Sequence, residues 1–354
     1  MRILFCSILN LLLTSLWAQQ STRVASLDSL VAAEVAARQF SGVVLLAEGG
    51  QPVYQTAVGE ARPAQPMALD TRFRLASITK AFTSVLVMQL IEEGKLSPES
   101  TVAEVLPELE VKRARKITVH DLLLHTSGLP NEPDALYQER LAARDMVERA
   151  AATAPYHRRG KFNYCNLDYL VLGLMIETIT GQSWAEVLQA RILDPLGMTQ
   201  TGLAQRESAG LAQGYLGLES EGQVSLVAEP AFYIENFQAA GAMYGTVGDL
   251  LKFDQALYGG QLLRPETIAQ MYTSHPELGY VAYGSWVYEY YFLPSSPRLV
   301  ERRGGILGFN HAFIRLPDQH KTLIILSNND RFDPDTFGQL DSFKDRLIAA
   351  LVRG

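Results

Sequence analysis

Ser77 and Lys80 form an S-x-x-K tetrad, Ser77-Ile-Thr-Lys80, whose side chains would lie on the same face of one helical turn. An apolar run from Ala81 to Glu93 follows and ends at Gly94, which predicts a buried helix with a glycine C-cap. Ser77 would then lie at the positive end of this helix, where an oxyanion is stabilised. A buried Lys80 would have a lowered pKa and could act as a base. The alternative is that Ser77 only caps the helix while Lys80 reaches solvent.

A tyrosine and an asparagine two residues apart, Tyr164 and Asn166, come just before a second helical pattern that ends at Gly181. A phenol can accept a proton when nearby cations lower its pKa, and an amide can hydrogen-bond a substrate. A core tyrosine beside a helix-capping asparagine would explain the same residues. Cys165 between them is interpreted as a small buried residue rather than a nucleophile.

The third candidate is a strand that carries two cations and then glycines, Arg302-Arg-Gly-Gly-Ile-Leu-Gly-Phe309. Arginine can bind a carboxylate through paired hydrogen bonds, and glycine lets a substrate backbone approach closely. An edge strand protected by charge is an equally good interpretation. The sequence contains no histidine pair with zinc spacing, no glycine-rich phosphate loop and no G-x-S-x-G motif. These absences disfavour zinc hydrolases, nucleotide enzymes and the usual α/β-hydrolases, and we expect no metal or organic cofactor.

Strand patterns lie towards both ends of the chain, and helical patterns lie between them. Residues 42–58 predict two strands with a tight turn, and a final helix is predicted from about Asp335 to Val352. Four further strands are predicted at Tyr280 to Tyr291, Arg298 to Arg303, Phe309 to Leu316 and Thr322 to Ser327. Short turns between successive strands imply an antiparallel sheet, which the first and last segments are expected to share. The fold class is therefore α+β. We predict an α/β domain formed by residues 19–85 and 236–354, and a mainly helical domain formed by residues 86–235.

Composition limits the function classes. The chain has 354 residues, 47% of them hydrophobic, which is enough to bury a large core. Its net charge of −7 disfavours nucleic-acid binding. Residues 1–18 have the pattern of a signal peptide, with Arg2 before an apolar run that reaches Trp17 and Ala18, and no later stretch reaches the length of a membrane span. We therefore expect a periplasmic or secreted bacterial protein with a small-molecule or peptide substrate.

Taken in order, the three motifs resemble those of the serine β-lactamase and D-alanyl-D-alanine carboxypeptidase superfamily, and the Tyr-x-Asn form resembles its class C β-lactamase and esterase branch. The resemblance covers about residues 27 to 350. Further matching segments are Phe40-Ser-Gly-Val-Val, Asp121-Leu-Leu-Leu-His-Thr-Ser-Gly-Leu-Pro, Pro195-Leu-Gly-Met198 and Gly241-Ala-Met-Tyr-Gly-Thr-Val-Gly-Asp-Leu.

The resemblance implies a role for each motif residue and a cleft between an α/β domain and a helical domain. Ser77 would be the acylated nucleophile, and Lys80 and Tyr164 would share the proton transfers. Asn166 would orient the substrate carbonyl or the lysine. The backbone N–H groups of Ser77 and Gly305 would form the oxyanion hole.

The third motif departs from the K-T-G or H-x-G pattern of the family, because Arg302, Arg303 and Gly304 occupy it. These three residues are expected to bind substrate, although arginine cannot shuttle a proton. A register error of one residue would exchange the arginine that faces the cleft.

Two functions follow from these patterns. The first is an exported serine hydrolase that cleaves an amide or ester, such as a D-amino-acid peptide, a β-lactam or a small ester, through a Ser77 acyl-enzyme. The second is a non-catalytic or very slowly deacylating, penicillin-binding-like protein that binds peptidoglycan or a partner. The sequence does not predict an oligomeric state.

Overall fold

The computed structural model describes residues 21–206, 208–220 and 223–353, so the predicted signal peptide lies outside the described residues. None of the helices in these ranges is long and apolar enough to cross a membrane. The longer helices are 21–36, Thr79–Glu92, Ala143–Thr153, Asn166–Thr180, Val247–Tyr258 and Phe343–Arg353. Shorter helices are Val102–Val105, Val119–Leu123, Trp184–Leu188, Gln238–Gly241 and Pro265–Met271.

The main sheet has seven strands, and each strand is antiparallel to its neighbours. The first strand of the chain pairs with the last strand of the sheet, with Gly42 opposite Ser327. This pairing confirms that the two ends of the chain share one sheet. In spatial order the strands are Val281–Ala282, Ser285–Glu289, Arg298–Ile306, Phe309–Leu316, Lys321–Ser327, Gly42–Glu48 and Gln51–Val58.

Both faces of this sheet are covered. Along the strand Gly42–Glu48, Val43 and Leu45 enter one hydrophobic core, whereas Val44 and Leu46 enter the other, as the alternation of a strand requires. The outer core contains apolar residues of the terminal helices 21–36 and Phe343–Arg353. The inner core contains the helix Thr79–Glu92 and continues into the helical region of the chain. Burial on both faces explains why this strand is continuously apolar.

Local capping signals determine several helix ends. Thr118 with Asp121, and Ser183 with Glu186, form the reciprocal hydrogen bonds of capping boxes. The helix Asn166–Thr180 ends at Gly181, which has a φ of 69°. The C-cap at Gly181 confirms the helix end predicted there from the sequence.

Two predicted elements differ from the structure. The single strand predicted from Tyr280 to Tyr291 is wrong, because Gly284, with a φ of 75°, turns the chain between two short strands. The final helix begins at Phe343 rather than near Asp335. Gly338 has a φ of 68°, a conformation that a helix does not contain.

Shorter strands form three small sheets outside the main sheet among the described residues. Phe73–Arg74, Met243–Gly245 and Gly202–Leu203 form a small sheet beside the Ser77 turn, and Tyr215–Ser220 pairs with Gln223–Ala228 in a hairpin. The short pair Glu60–Arg62 and Gln65–Pro66 forms a further hairpin. Ser77, Lys80 and Arg302 belong to the predicted α/β domain, and Tyr164 and Asn166 belong to the predicted helical domain. The boundaries of the two domains stay a prediction.

Candidate active site

Ser77 lies on a 3-10 turn, Ala76–Ile78, that runs directly into the helix Thr79–Glu92. The strand Arg298–Ile306 lies against this turn, so that a Cβ atom added to Gly304 would be 2.5 Å from the carbonyl oxygen of Leu75. Glycine is therefore needed at this position for the strand to approach the turn. Gly305, the predicted oxyanion-hole residue, is exposed next to it.

Lys80 is fully buried one turn beyond Ser77. Its Nζ donates to Ser77 Oγ at 3.1 Å, to Asn166 Oδ1 at 2.7 Å and to the carbonyl oxygen of Ala240 at 2.8 Å. Burial lowers the pKa of the Lys80 ammonium. A neutral amine has only two N–H groups, however, so only the ammonium form can donate to all three acceptors at once. The geometry favours an ammonium that holds Ser77 and Asn166 in position.

Tyr164 is the second group on the nucleophile. Its hydroxyl donates to Ser77 Oγ at 2.7 Å and accepts from Arg302 Nη2 at 2.5 Å. Burial alone would raise the pKa of the Tyr164 phenol, but the positive charges of Arg302 and Lys80 outweigh it and lower the pKa to about 8. The phenol is therefore suited to exchange a proton with Ser77 near neutral pH.

The two arginines of the third motif point to opposite faces of their strand. Arg302 is 3% exposed, and its Nε donates to the carbonyl oxygen of Ser77 at 2.7 Å. Arg303 instead forms ion pairs with Glu301 at 2.9 Å and Asp335 at 2.7 Å. Of the two arginines expected at the substrate, only Arg302 joins the cluster around Ser77, because successive residues of a strand alternate in direction.

Asn166 links the lysine to an acidic residue that the sequence patterns did not single out. Its Nδ2 donates to Glu132 Oε1 at 2.7 Å, while its Oδ1 accepts from Lys80. The Tyr137 hydroxyl donates to the same Glu132 oxygen, and the Tyr137 ring stacks on Phe237 at a centroid distance of 4.2 Å. The orientation of the Asn166 amide is thus set by Lys80 on one side and Glu132 on the other.

Cys165 and the nearby His125 have structural environments. Cys165 is buried, its Sγ donates to the carbonyl oxygen of Pro130 at 3.1 Å, and burial raises the pKa of its thiol well above the usual value. The His125 Nδ1 lies 3.1 Å from Asp168 Oδ2, and burial lowers the pKa of this imidazole. A thiol that stays protonated is a poor nucleophile, which agrees with the interpretation of Cys165 as a buried residue.

Three further groups at the site had no signal in the sequence. Glu132 lies in a loop, the carbonyl oxygen of Ala240 belongs to the backbone, and Trp286 is a single aromatic residue in a strand. The Trp286 ring stacks beside the Tyr164 ring at 6.3 Å, and the Arg302 guanidinium lies 5.2 Å from its centroid. Only the folded chain brings these groups to Ser77.

The antiparallel sheet, the serine turn and the Lys80–Tyr164 pair define a serine hydrolase of the β-lactamase and transpeptidase type. A family model described as Beta-lactamase matches residues 27–342. This protein belongs to the beta-lactamase family.

Individual relatives agree with this assignment. Penicillin-binding protein 4* of Bacillus subtilis (strain 168) is 30% identical over 317 residues, which are 82% of this chain and 69% of that protein. Protein flp of Staphylococcus aureus (strain N315) is 27% identical over 290 residues, and the match spans 56% of its length. The structure of D-amino acid amidase from Ochrobactrum anthropi SV3 has the same fold, with a TM-score of 0.78 at 24% identity over 95% of this chain and 99% of that one.

Proposed function

We propose that this protein is an exported serine hydrolase that cleaves an amide or ester bond through an acyl-enzyme on Ser77. The observation that carries the proposal is the position of Ser77 Oγ, which lies 3.1 Å from Lys80 Nζ and 2.7 Å from the Tyr164 hydroxyl. A hydroxyl between an ammonium and a phenol of lowered pKa is an activated nucleophile. Export is proposed from the signal-peptide pattern of residues 1–18.

Acylation begins with Tyr164 as the phenolate. The phenolate takes the proton of Ser77 Oγ, and Oγ forms a bond to the carbonyl carbon while the carbonyl oxygen becomes an oxyanion. The backbone N–H groups of Ser77 and Gly305 would donate to this oxyanion. When the tetrahedral intermediate collapses, the leaving group departs with the proton that Tyr164 holds, and an ester on Ser77 remains.

Deacylation uses the same groups in reverse. Tyr164 takes a proton from water, the hydroxide oxygen bonds to the acyl carbon, and the ester bond to Oγ breaks. Ser77 Oγ then recovers its proton from Tyr164, and the acid product leaves. Lys80 stays an ammonium throughout and stabilises the phenolate.

The substrate class proposed from the family comprises D-amino-acid peptides, β-lactams and small esters. Similarity to a penicillin-binding protein supports a D-amino-acid or β-lactam acyl group, and the fold shared with a D-amino acid amidase accommodates amides. The stacked Tyr137 and Phe237 rings lie next to Asn166, because the Tyr137 hydroxyl and the Asn166 amide donate to the same Glu132 oxygen.

The test is intact-mass spectrometry of the purified protein after incubation with a fluorophosphonate and, separately, with a penicillin. We expect one fluorophosphonate adduct that peptide mapping places on Ser77 and that is absent in Ser77→Ala. A persistent penicilloyl adduct would identify the slowly deacylating form of the function. A folded protein that gives no adduct with either reagent would overturn the acyl-enzyme proposal in favour of non-catalytic binding.

A further inference from the structure

The Lys80 ammonium has no direct counter-ion among the described residues. Lys80 is fully buried, and its Nζ donates to three neutral oxygens, which belong to Ser77, Asn166 and the backbone of Ala240. The ion pairs that lysines form in the described part of the chain involve other lysines. Arg302 adds a second cation, since both charges lie against the Tyr164 ring, at 4.9 and 5.5 Å from its centroid. A buried ammonium without a nearby anion is strongly disfavoured.

The Asn166 side chain connects this ammonium to a carboxylate. Its Oδ1 accepts from Lys80 Nζ at 2.7 Å, and its Nδ2 donates to Glu132 Oε1 at 2.7 Å. The negative end of the amide dipole therefore faces the cation, and the positive end faces the carboxylate. The reversed amide would place its N–H groups against the ammonium and its oxygen against the carboxylate, so only one orientation is favourable.

Glu132 receives its hydrogen bonds from uncharged groups. Its Oε1 accepts from the Tyr137 hydroxyl as well as from Asn166, and its Oε2 is buried without a hydrogen-bond partner among the described residues. A carboxylate oxygen that is buried without a partner costs folding free energy. Attraction to Lys80 across one amide group offsets part of this cost.

The other groups around Lys80 do not replace this carboxylate. Charged or titratable groups that face Lys80 are Tyr164, Arg302, Glu132, His125 and Asp168. Burial lowers the pKa of the Lys80 ammonium and the Arg302 charge lowers it further, whereas Tyr164 and Glu132 raise it. Burial raises the pKa of Asp168 well above the usual range, and this carboxyl contacts His125 and Ser127. Glu132 is therefore the carboxylate that is left to balance Lys80.

We propose that Glu132 is the counter-ion of the Lys80 ammonium and acts on it through the Asn166 amide. Glu132 is thus a positioning residue, because it acts through Asn166 rather than on the reacting atoms. The inference rests on the proposed hydrolase function, in which an ammonium holds Ser77 and stabilises the Tyr164 phenolate. Without the Glu132 charge, Lys80 releases its proton at a lower pH, and a neutral amine cannot donate to all three acceptors.

The protonation state of Lys80 can be measured without substrate. The purified protein is labelled with [ε-13C]lysine, and 13C NMR follows the Lys80 resonance, which is the one absent in Lys80→Arg, between pH 6 and pH 11. We expect the titration midpoint in Glu132→Gln to lie at least about one pH unit below that of the wild type, because the amide carries no charge. Equal midpoints, no titration in either protein, or a wild-type Lys80 that is neutral throughout this range would overturn the inference.

Three further variants separate the charge from the hydrogen bonds. Tyr137→Phe removes one hydrogen bond to Glu132 but keeps the carboxylate, so it should leave the Lys80 midpoint unchanged. Glu132→Asp keeps the charge and should restore most of the wild-type midpoint. Glu132→Ala removes the charge together with the acceptor, and it should reproduce the shift if Glu132→Gln does not fold. A midpoint that falls as far in Tyr137→Phe as in the variants without the charge would overturn the inference.

The effect on the nucleophile is measured as the rate at which a fluorophosphonate labels Ser77. In Glu132→Gln we expect this rate to decline, as pH rises, at least about one pH unit earlier than in the wild type, in step with the NMR midpoint. A labelling profile that matches the wild type despite a shifted NMR midpoint would overturn the positioning role of Glu132. Absence of labelling in the folded wild type would instead overturn the proposed hydrolase function, while the NMR midpoint would still decide whether Glu132 is the counter-ion.

Discussion

Arg302 and Arg303 are adjacent in the chain, yet they belong to two different polar clusters. Arg302 contacts a carbonyl oxygen and a hydroxyl, whereas Arg303 contacts the carboxylates of Glu301 and Asp335. Both guanidinium groups lie near the Trp286 ring, at 5.2 and 5.3 Å from its centroid. The charge of Arg302 has no ion pair among the described residues and so acts on the pKa of Tyr164. The charge of Arg303 is cancelled by its partners. The comparison teaches that a charged side chain shifts the pKa of the group it contacts: Arg302 lowers the pKa of the Tyr164 phenol, whereas Arg303 lowers the pKa of the Glu301 carboxyl.

Each cluster also contains a tyrosine. Removing the hydroxyl group of each tyrosine in turn is the strongest test of the comparison. We expect Tyr164→Phe to lower kcat/KM about 10³-fold, because the proton acceptor for Ser77 is lost. Tyr288, which donates to Glu301 on the outer face, is the matched control, and Tyr288→Phe should change kcat/KM less than about twofold. Steady-state hydrolysis of a chromogenic ester measures both. Similar losses in the two variants would remove the functional distinction between the clusters.

Replacing each arginine by methionine tests whether Arg302 acts on activity and Arg303 on stability. Arg302→Met should lower kcat/KM about 10²-fold and move the rising limb of its pH profile above pH 8, because the cation that lowers the pKa of Tyr164 is gone. Arg303→Met should retain activity but lose about 2 kcal/mol of unfolding free energy, since buried Glu301 loses a charged partner. Kinetics and urea denaturation of both variants measure these effects. An Arg302→Met profile that keeps the wild-type midpoint would refute the electrostatic role.

The pH profile of wild-type kcat/KM reports the protonation state of Tyr164. Because the base is the phenolate, log kcat/KM should rise with pH and level off above the Tyr164 pKa of about 8. Below this value the phenolate fraction falls about tenfold for each pH unit. Activity that decreases as pH rises from 6 to 8 would show that the protonated phenol is the reactive form.

The cluster around Glu301 and Arg303 should instead make the free energy of unfolding depend on pH. Burial alone would raise the pKa of Glu301, but Lys344 and Arg303 outweigh it and lower the pKa to about 2. The charged form of this carboxyl therefore stabilises the fold above its unfolded pKa near 4.5, and the stabilisation is lost as pH falls towards 2. The difference in unfolding free energy between wild type and Glu301→Gln should shrink between pH 5 and pH 2. A difference that does not change with pH would contradict this ion-pair model.

Much of the site could be predicted from short segments. The tetrad from Ser77 to Lys80 is one helical turn, and Tyr164 and Asn166 lie at the start of one helix, so local spacing alone indicates that these side chains can act together. The contact from Arg302 to Tyr164 joins residues 138 positions apart, and that from Lys80 to Ala240 joins residues 160 positions apart. No local pattern contains such contacts, because they depend on how the sheet and helical region pack.

The amino-acid sequence by itself determined the order of the motifs, the capping of the helices and the presence of two cations in the third motif. The sequence predicted both arginines at the substrate, although the alternation of strand residues lets only one of two neighbours face the nucleophile. Only the tertiary structure decided that this residue is Arg302. The strand's register is set where Gly304 meets the carbonyl oxygen of Leu75, and a shift of one residue would exchange the two faces.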